Sequence, residues 1–503
     1  MLSHRRAAFL LLVLLIAVLA ILPLAWLAGY SNGTAGLHWP RLGASGTSQL
    51  HHTLLLVLAV GVGGAVLGSA TGWLTALCQF PGRRWLRIAQ LLPLATPAYL
   101  LAAPGIDLGS RLGLRVHGLP WAIALLGLRT YPYVFLLATE SFAATGRQQR
   151  EACRSLGVGP GGGFRRVALP LAFPAIGAGV ALIGREVVNE LGAVELLGVP
   201  SLSSGILQRW LGEGDPAGAV GLALVALLIV SLLVAAERGL RHRSRHWSSG
   251  SLGDGGPLWP LGGWRALAAQ VLTALPPSLS VGLPLVWILL SRDQLQADAA
   301  GELVALSLRS LLLAVGAVVV TVAAGLVLAL ARRWLQLPLL RPLSVLAGMG
   351  YAVPGAVLSL GLILLGGPLQ LGPLLLLVWG YGDRFLAVSK QGLDAAFERI
   401  PPSLDEAATV LGCGWWQVLR RVHLPLLRGP LLVGALLVFV VVVKELPLTF
   451  ALRPFDFDTL SVRVYQYASD ERVGSALLPA LLILLLGLAA ALALVPQLER
   501  GQR

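Results

Sequence analysis

Charge is scarce in this sequence. Asp, Glu, Lys and Arg make up 12% of its 503 residues, about half the share found in a soluble globular domain. No polar stretch is long enough for a sizeable soluble domain, which excludes a chain that folds mainly in water. Lysine is scarcer still: Lys390 and Lys444 are the only two, and they follow Ser389 and Val443. A phosphate-cradling loop needs Gly-Lys followed by Ser or Thr, so the chain is expected not to hydrolyse ATP and to carry no cofactor. The three cysteines, Cys78, Cys153 and Cys413, fall at or near the cytoplasmic face in the topology below, where no disulfide is expected. No Cys/His cluster has ligand spacing, so no metal site is assigned.

Apolar residues are what the chain has in abundance, at 56% with a mean hydropathy of +0.78. Apolar runs of 18 or more residues indicate bilayer spans, and these must be helical because an open sheet edge does not survive in hydrocarbon. The fold class is therefore an all-α polytopic membrane protein with about twelve transmembrane helices. The spans fall near residues 7–29, 52–78, 86–104, 119–143, 172–193, 217–236, 266–290, 303–331, 342–366, 372–393, 427–450 and 477–496. The first run exceeds the roughly 7–15 apolar residues of a secretion signal and reads as an uncleaved span. A net charge of +14 raises nucleic acid as a partner. The distribution of the charge excludes it: about 25 of the 38 Lys and Arg lie in or beside alternate loops and about 8 in the others, as the positive-inside rule requires. Both termini are then cytoplasmic, and lipid is the surrounding partner.

The sequence repeats itself. Residues 151–170 read EACRSLGVGPGGGFRRVALP and residues 406–425 read EAATVLGCGWWQVLRRVHLP. The copies lie 255 residues apart, as do Arg129 and Arg384, Asn189 and Lys444, and Glu190 and Glu445. Upstream the register slips by about two residues, with Pro97 answering Pro354. Several polar matches at one offset indicate duplication, and six spans per copy make the two halves parallel in the membrane. The resulting plan places the first span and an outer loop at 1–50, a first domain at 51–236 with its loop at 145–172, and a basic, Gly/Ser/Pro-rich linker at 237–265. The seventh span and an outer loop follow at 266–302, then a second domain at 303–496 with its loop at 395–425, and a tail at 497–503. Pro23, Pro93, Pro97, Pro354 and Pro447 are expected to kink or interrupt their helices.

Each repeated segment is a polar island with the pattern of a helix, a turn and a second helix. In the second copy Ser403 and Glu406 have capping-box spacing, and Gly412 is placed to end the helix as a C-cap. Gly157 does the same in the first copy. The small Ala152 and Ala407 leave room for a partner's backbone. These residues resemble the EAA loop of ABC-transporter permeases, E-A-A-x-x-x-G-x9-I-x-L-P. Glu151, Ala152, Gly157, Leu169 and Pro170 match it in the first copy, and Glu406, Ala407, Ala408, Gly412, Leu424 and Pro425 in the second. Val167 and Val422 stand at the Ile position and Cys153 at the third position of the first copy. The first copy also departs in carrying Pro160-Gly161-Gly162-Gly163 where the family has helix formers, which is expected to loosen its second helix. The resemblance implies two MetI-like importer domains in a bacterial inner membrane. It further implies loops that seat in two copies of a separate cytoplasmic ATPase, which binds the ATP and Mg.

A narrower resemblance, carried by residues 91–103, 131–142, 189–210 and 444–472 and by the fused layout, is to the ferric-iron permeases. It implies Fe³⁺ as substrate, delivered by a periplasmic or lipid-anchored iron-binding protein to outer loops around 194–216 and 451–476. Thiamine permeases share the fused layout and are the alternative within the class. An ion-coupled secondary transporter is the alternative outside it, because it too would show parallel repeats and a basic loop such as PGRRWLR at 81–87. Arg129, Arg384, Lys444, Glu190 and Glu445 fall within or at the ends of spans, where charge faces protein interior or a water path. Three roles are open to them from sequence: a translocation path or gate, structural ion pairs, or direct ligation of a hard cation by the carboxylates.

Overall fold

The computed structural model describes residues 2–35, 42–144, 153, 155–247, 259–294 and 299–500. Every expected span lies on helix. Among the described residues eight single helices are long and apolar enough to cross a bilayer, and three more candidates are bent helix pairs. The twelfth is Pro373–Glu398, whose apolar stretch is interrupted by Asp383, Arg384 and Lys390. The spans are numbered 1 to 12 below in chain order.

Proline sets the sharp bends. Span 3 is Arg83–Ala95 followed by Tyr99–Arg111 at 90°, and span 9 is Leu340–Ala352 followed by Gly355–Gly366 at 109°. Both break just before the repeat-related Pro97 and Pro354. Thr96 and Val353 are extended there, with ψ of 119° and 132°, as the residue before a proline prefers. Span 4 bends by 43° between Thr130 and Pro132. Span 10, which has Ala387 at the corresponding position, is one helix. Pro447 opens a short helix, Pro447–Leu452. Pro23 departs from expectation, since the helix Leu2–Ala35 runs through it without interruption.

Contacts divide the chain into two compact units, residues 1–39 with 298–463 and residues 40–297 with 464–503. In the first unit span 1 packs on the second repeat: Trp379 Nε1 donates to Leu19 O at 3.0 Å. In the other unit span 7 packs on span 3, where Trp287 Nε1 donates to Asp107 Oδ2 at 3.0 Å. Each unit is built on the same close crossing. A Cβ added to Gly179 of span 5 would lie 2.7 Å from Val134 Cα, and one added to Gly68 of span 2 would lie 2.8 Å from Phe135 N. In the second repeat Gly434 and Gly325 press on Ser389, 255 residues after Val134. Small residues admit these backbone approaches, which supply the dispersion contacts that hold helices together in lipid.

The outward faces are apolar. Leu58, Val62 and Val66 of span 2 and Val304, Leu308, Leu312 and Val319 of span 8 are more than half exposed, an arrangement suited to hydrocarbon. The helix of span 6 continues to Trp247, so the first part of the 237–265 segment is helical. Trp259–Pro260 pairs in parallel with Cys78–Gln79.

Candidate functional site

The second loop is built from a short helix, Ser403–Val410, a turn, and the helix Trp415–Val418. A π-helical turn, Leu419–His423, leads from there into span 11. The expected capping box does not form. Pro402 is already in the helical region at φ −57°, ψ −29° and takes the N-cap position, with no side-chain cap. Ser403 is thereby drawn into the first turn. The C-terminus forms as expected. Gly412 has φ +79°, its N–H donates to Thr409 O, and the Cys413 N–H donates to Ala408 O, both at 3.0 Å. This is the Schellman pattern that satisfies the last carbonyls of a helix. A Cβ on Gly412 would meet nothing within 4 Å, so backbone conformation, not space, demands glycine. Glu406 and Ala407 are exposed and Ala408 is buried.

In the first copy Glu151 and Ala152 lie outside the described residues. Gly157 has φ +66°, and the Val158 N–H donates to Cys153 O at 2.9 Å, the same closure. The Pro-Gly-Gly-Gly stretch is helical, Pro160–Gly163, and passes through a π-helical turn, Phe164–Ala168, into span 5. The backbone there is therefore helical in spite of its three glycines. Proline suits a first turn, where its missing N–H costs nothing. Leu169-Pro170 and Leu424-Pro425 likewise stand at the start of their spans. One feature escaped the sequence reading: Leu156 and Leu411, each just before its glycine, are 78% and 82% exposed. The signal was the shared leucine at one offset.

A second missed feature anchors the second loop alone. Asp405 Oδ2 accepts from Arg333 Nε and Asp405 Oδ1 lies against His423 Nε2, both at 2.8 Å. Arg333 also donates to Ile400 O at 2.8 Å and Pro401 O at 3.0 Å. His423 is fully buried, with its ring beside Trp334 and Phe397. One carboxylate thus ties the loop to the end of span 8 and the start of span 11. The first copy has Arg150 and Ala168 at the positions of Asp405 and His423, so its sequence cannot form that tie.

The repeat-related charges within the membrane pair with one another. Arg129 lies 3.7 Å from Glu190 and 3.8 Å from Glu186, and Arg384 lies 3.9 Å from Glu445. Both glutamates sit where a span breaks and also cap the short helix that follows. Glu190 Oε1 accepts the Ala193 N–H at 3.2 Å. Glu445 accepts the Leu448 and Thr449 N–H groups at 3.0 Å and the Thr449 hydroxyl at 2.8 Å. Arg384 donates to Val353 O at 2.9 Å, so it bridges the bend of span 9 to the break after span 11. Lys444 is half-buried at the C-terminal end of span 11. Further hydrogen bonds fix the breaks: the Ser203 hydroxyl donates to Val188 O at 2.6 Å and the Ser461 hydroxyl to Glu445 O at 2.7 Å. The Leu202 N–H donates to Thr53 Oγ1 at 3.0 Å and the Leu460 N–H to Ser310 Oγ at 2.9 Å. Among the described residues no group of three or more His, Cys, Asp or Glu is placed to hold a metal ion.

The expected outer docking charges divide by burial. Arg209 and Asp458 are 7% and 8% exposed and hold loops together: Arg209 donates to Leu42 O at 2.7 Å, and Asp458 pairs with Arg453 at 2.6 Å. Glu213, Asp215, Asp456, Asp470, Glu471 and Arg472 are exposed, and Phe455 stands 94% exposed beside Asp456.

Two bundles of bent and unbroken membrane helices, each carrying a Schellman-closed loop with an exposed leucine, have the architecture of a membrane transport permease. The comparisons name the family. The chain belongs to the binding-protein-dependent transport system inner membrane components, whose profile matches residues 64–245 and 268–501. It is therefore a multi-pass importer permease, distinct from its ATPase, and the secondary-transporter alternative is set aside. It is 25% identical over 493 residues to the Fe(3+)-transport system permease protein FbpB 2 of Haemophilus influenzae, covering 94% of this chain and 95% of that one. A probable molybdenum ABC transporter permease protein of Haloferax volcanii is 32% identical over 33% of this chain and 65% of its own length. The sulfate transport system permease protein CysT of Salmonella typhimurium is 29% identical over 28% of this chain and 55% of its own. No solved structure matches the chain.

Proposed function

We propose that this chain is the membrane subunit of an ATP-driven ferric-iron importer, with both termini in the cytoplasm. The observation that carries the substrate is the end-to-end likeness to an Fe(3+)-transport permease. The molybdenum and sulfate relatives align with about a third of the chain. Two cytoplasmic ATPase subunits bind ATP and Mg, one on each loop. They grip Glu151, Ala152 and Leu156 in the first copy and Glu406, Ala407 and Leu411 in the second. Their closure moves the loops, and the Leu-Pro starts of spans 5 and 11 carry that movement into the membrane.

A periplasmic or lipid-anchored binding protein delivers Fe³⁺ to the exposed outer charges and Phe455. Arg129, Glu190, Arg384 and Glu445 act as structural pairs that hold the broken spans bordering the path. Ligation of iron by Glu445 is disfavoured because both its oxygens already accept protein hydrogen bonds, and a path must release its ion. The test is radiolabelled uptake into proteoliposomes that hold the complete complex, with the binding protein supplied outside. Iron uptake dependent on that protein and on internal ATP is expected. Uptake of thiamine, sulfate or molybdate without iron would overturn the substrate while leaving the family in place.

A further inference from the structure

The segment Pro81–Arg87 takes no part in coupling or in the membrane charge pairs, yet it shapes a cavity. Span 2 ends at Leu77, the chain turns at Gly82 with φ +75°, and the helix Arg83–Ala89 follows. Phe80, Arg83, Arg84, Trp85 and Arg87 line an open cavity of about 530 Å³, and among the described residues no carboxylate lines it. Glu140 acts on Arg87 from nearby, and three guanidinium groups line the cavity.

The walls are held. Arg83 Nε donates to Thr75 O at 2.7 Å and Nη2 to Ala76 O at 3.1 Å, closing the last turn of span 2. The floor is fixed by the pairing of Cys78–Gln79 with Trp259–Pro260. Gln270 Nε2 of span 7 donates to Pro81 O at 3.1 Å. That bond brings span 7 to the turn between the lining residues Phe80 and Gly82, and Leu267 and Val271, on the same side of the helix as Gln270, are 61% and 53% exposed. Trp85 is 74% exposed at the rim. An amphipathic ring at a span end belongs at the membrane–water interface.

Phosphate is the anion that planar guanidinium groups hold best. A free phosphate would need only the arginines. The apolar flank and the interfacial tryptophan fit a ligand with chains attached. We propose that this cavity binds the phosphate of an anionic phospholipid, with its acyl chains along Leu267 and Val271 of span 7. The proposal needs only that the chain is embedded in a bilayer, and is independent of the iron reading.

The test uses the full chain in nanodiscs of phosphatidylcholine containing a minority of phosphatidylglycerol, with retained lipid read by native mass spectrometry during delipidation. Wild type is expected to retain phosphatidylglycerol over phosphatidylcholine. Arg84→Gln with Arg87→Gln is expected to lower that preference about five-fold for each arginine removed. Arg84→Lys with Arg87→Lys is expected to keep most of it, since a lysine still binds phosphate as a point charge. The lysine pair also controls for folding, checked by size exclusion. Arg83 is left intact because it caps span 2. Equal retention in wild type and the glutamine pair would overturn the proposal. So would displacement of phosphatidylglycerol by millimolar inorganic phosphate, which would make the site one for a free anion.

Discussion

At the scale of single residues, the two loop glycines and the buried glutamates make opposite demands. Gly412 and Gly157 sit at positive φ with open space around the missing Cβ at both. A side chain there meets no neighbour and suffers only backbone strain of roughly 1–2 kcal/mol. Gly412→Val is therefore expected to abolish transport with the protein still inserted. Gly412→Asn is expected to retain most of it, because asparagine tolerates the left-handed region. Uptake and membrane content measured together check this, and valine tolerated without loss would refute the turn as essential.

For the glutamates the deciding quantity is the number of partners. Among the described residues Arg384 has Glu445 as its one carboxylate within 4 Å, whereas Arg129 reaches both Glu186 and Glu190. Removing one member of a buried pair costs about 3–5 kcal/mol. Glu445→Gln is thus expected to lower thermal stability clearly and Glu190→Gln much less, as read by a detergent melt of the purified chain. The reverse order would show that the pairs are not what holds the breaks.

At the scale of elements, the second loop is tied to the membrane helices at several points. Arg333 holds three points of it, Asp405, Ile400 and Pro401, while His423 takes the other oxygen of Asp405. Loss of one charge-assisted bond costs about 1.5–3 kcal/mol, enough to slacken the tie without unfolding the spans. Arg333→Gln and Asp405→Asn are expected to leave ATP hydrolysis by the assembled complex in place while uptake falls. Arg333→Lys is expected to restore part of it. Loss of hydrolysis in parallel with uptake would mean that the tie serves assembly and not transmission. Sequence pattern pointed at Ser403 and Glu406 for the helix start, but Pro402 is already helical and took the cap. It also pointed at a weak first copy through Pro160–Gly163. That stretch is helical, and a further asymmetry between the copies lies at positions 150 and 168.

At the scale of the whole molecule, duplication has a stoichiometric consequence. Each repeat carries one loop with an exposed leucine just before its glycine, Leu156 or Leu411. Two ATPase subunits per chain are expected by mass photometry of the complex. Leu411→Asp or Leu156→Asp alone is expected to weaken retention of one subunit, and the pair to lose both. A stable complex with a single ATPase on the wild-type chain would sink the two-loop reading. The contact units also cut across the repeats, since span 1 belongs with residues 298–463 and the last forty residues with 40–297.

The amino-acid sequence by itself determined the membrane class, the positions of the spans, the duplication, the proline breaks at 97 and 354, and the glycine-closed turns. Each rests on local chemistry: hydropathy over about 20 residues, a missing N–H, or a φ that only glycine adopts readily. The tertiary structure alone decided which charges meet. Arg129 is 61 residues from Glu190, and Arg333 is 72 from Asp405. It also decided that Arg209 and Asp458 are interior while Phe455 is not, and that an arginine-rich turn lines an open cavity. These outcomes depend on helices distant in sequence arriving at one place, and no local pattern encodes where a long side chain will find its partner after they pack.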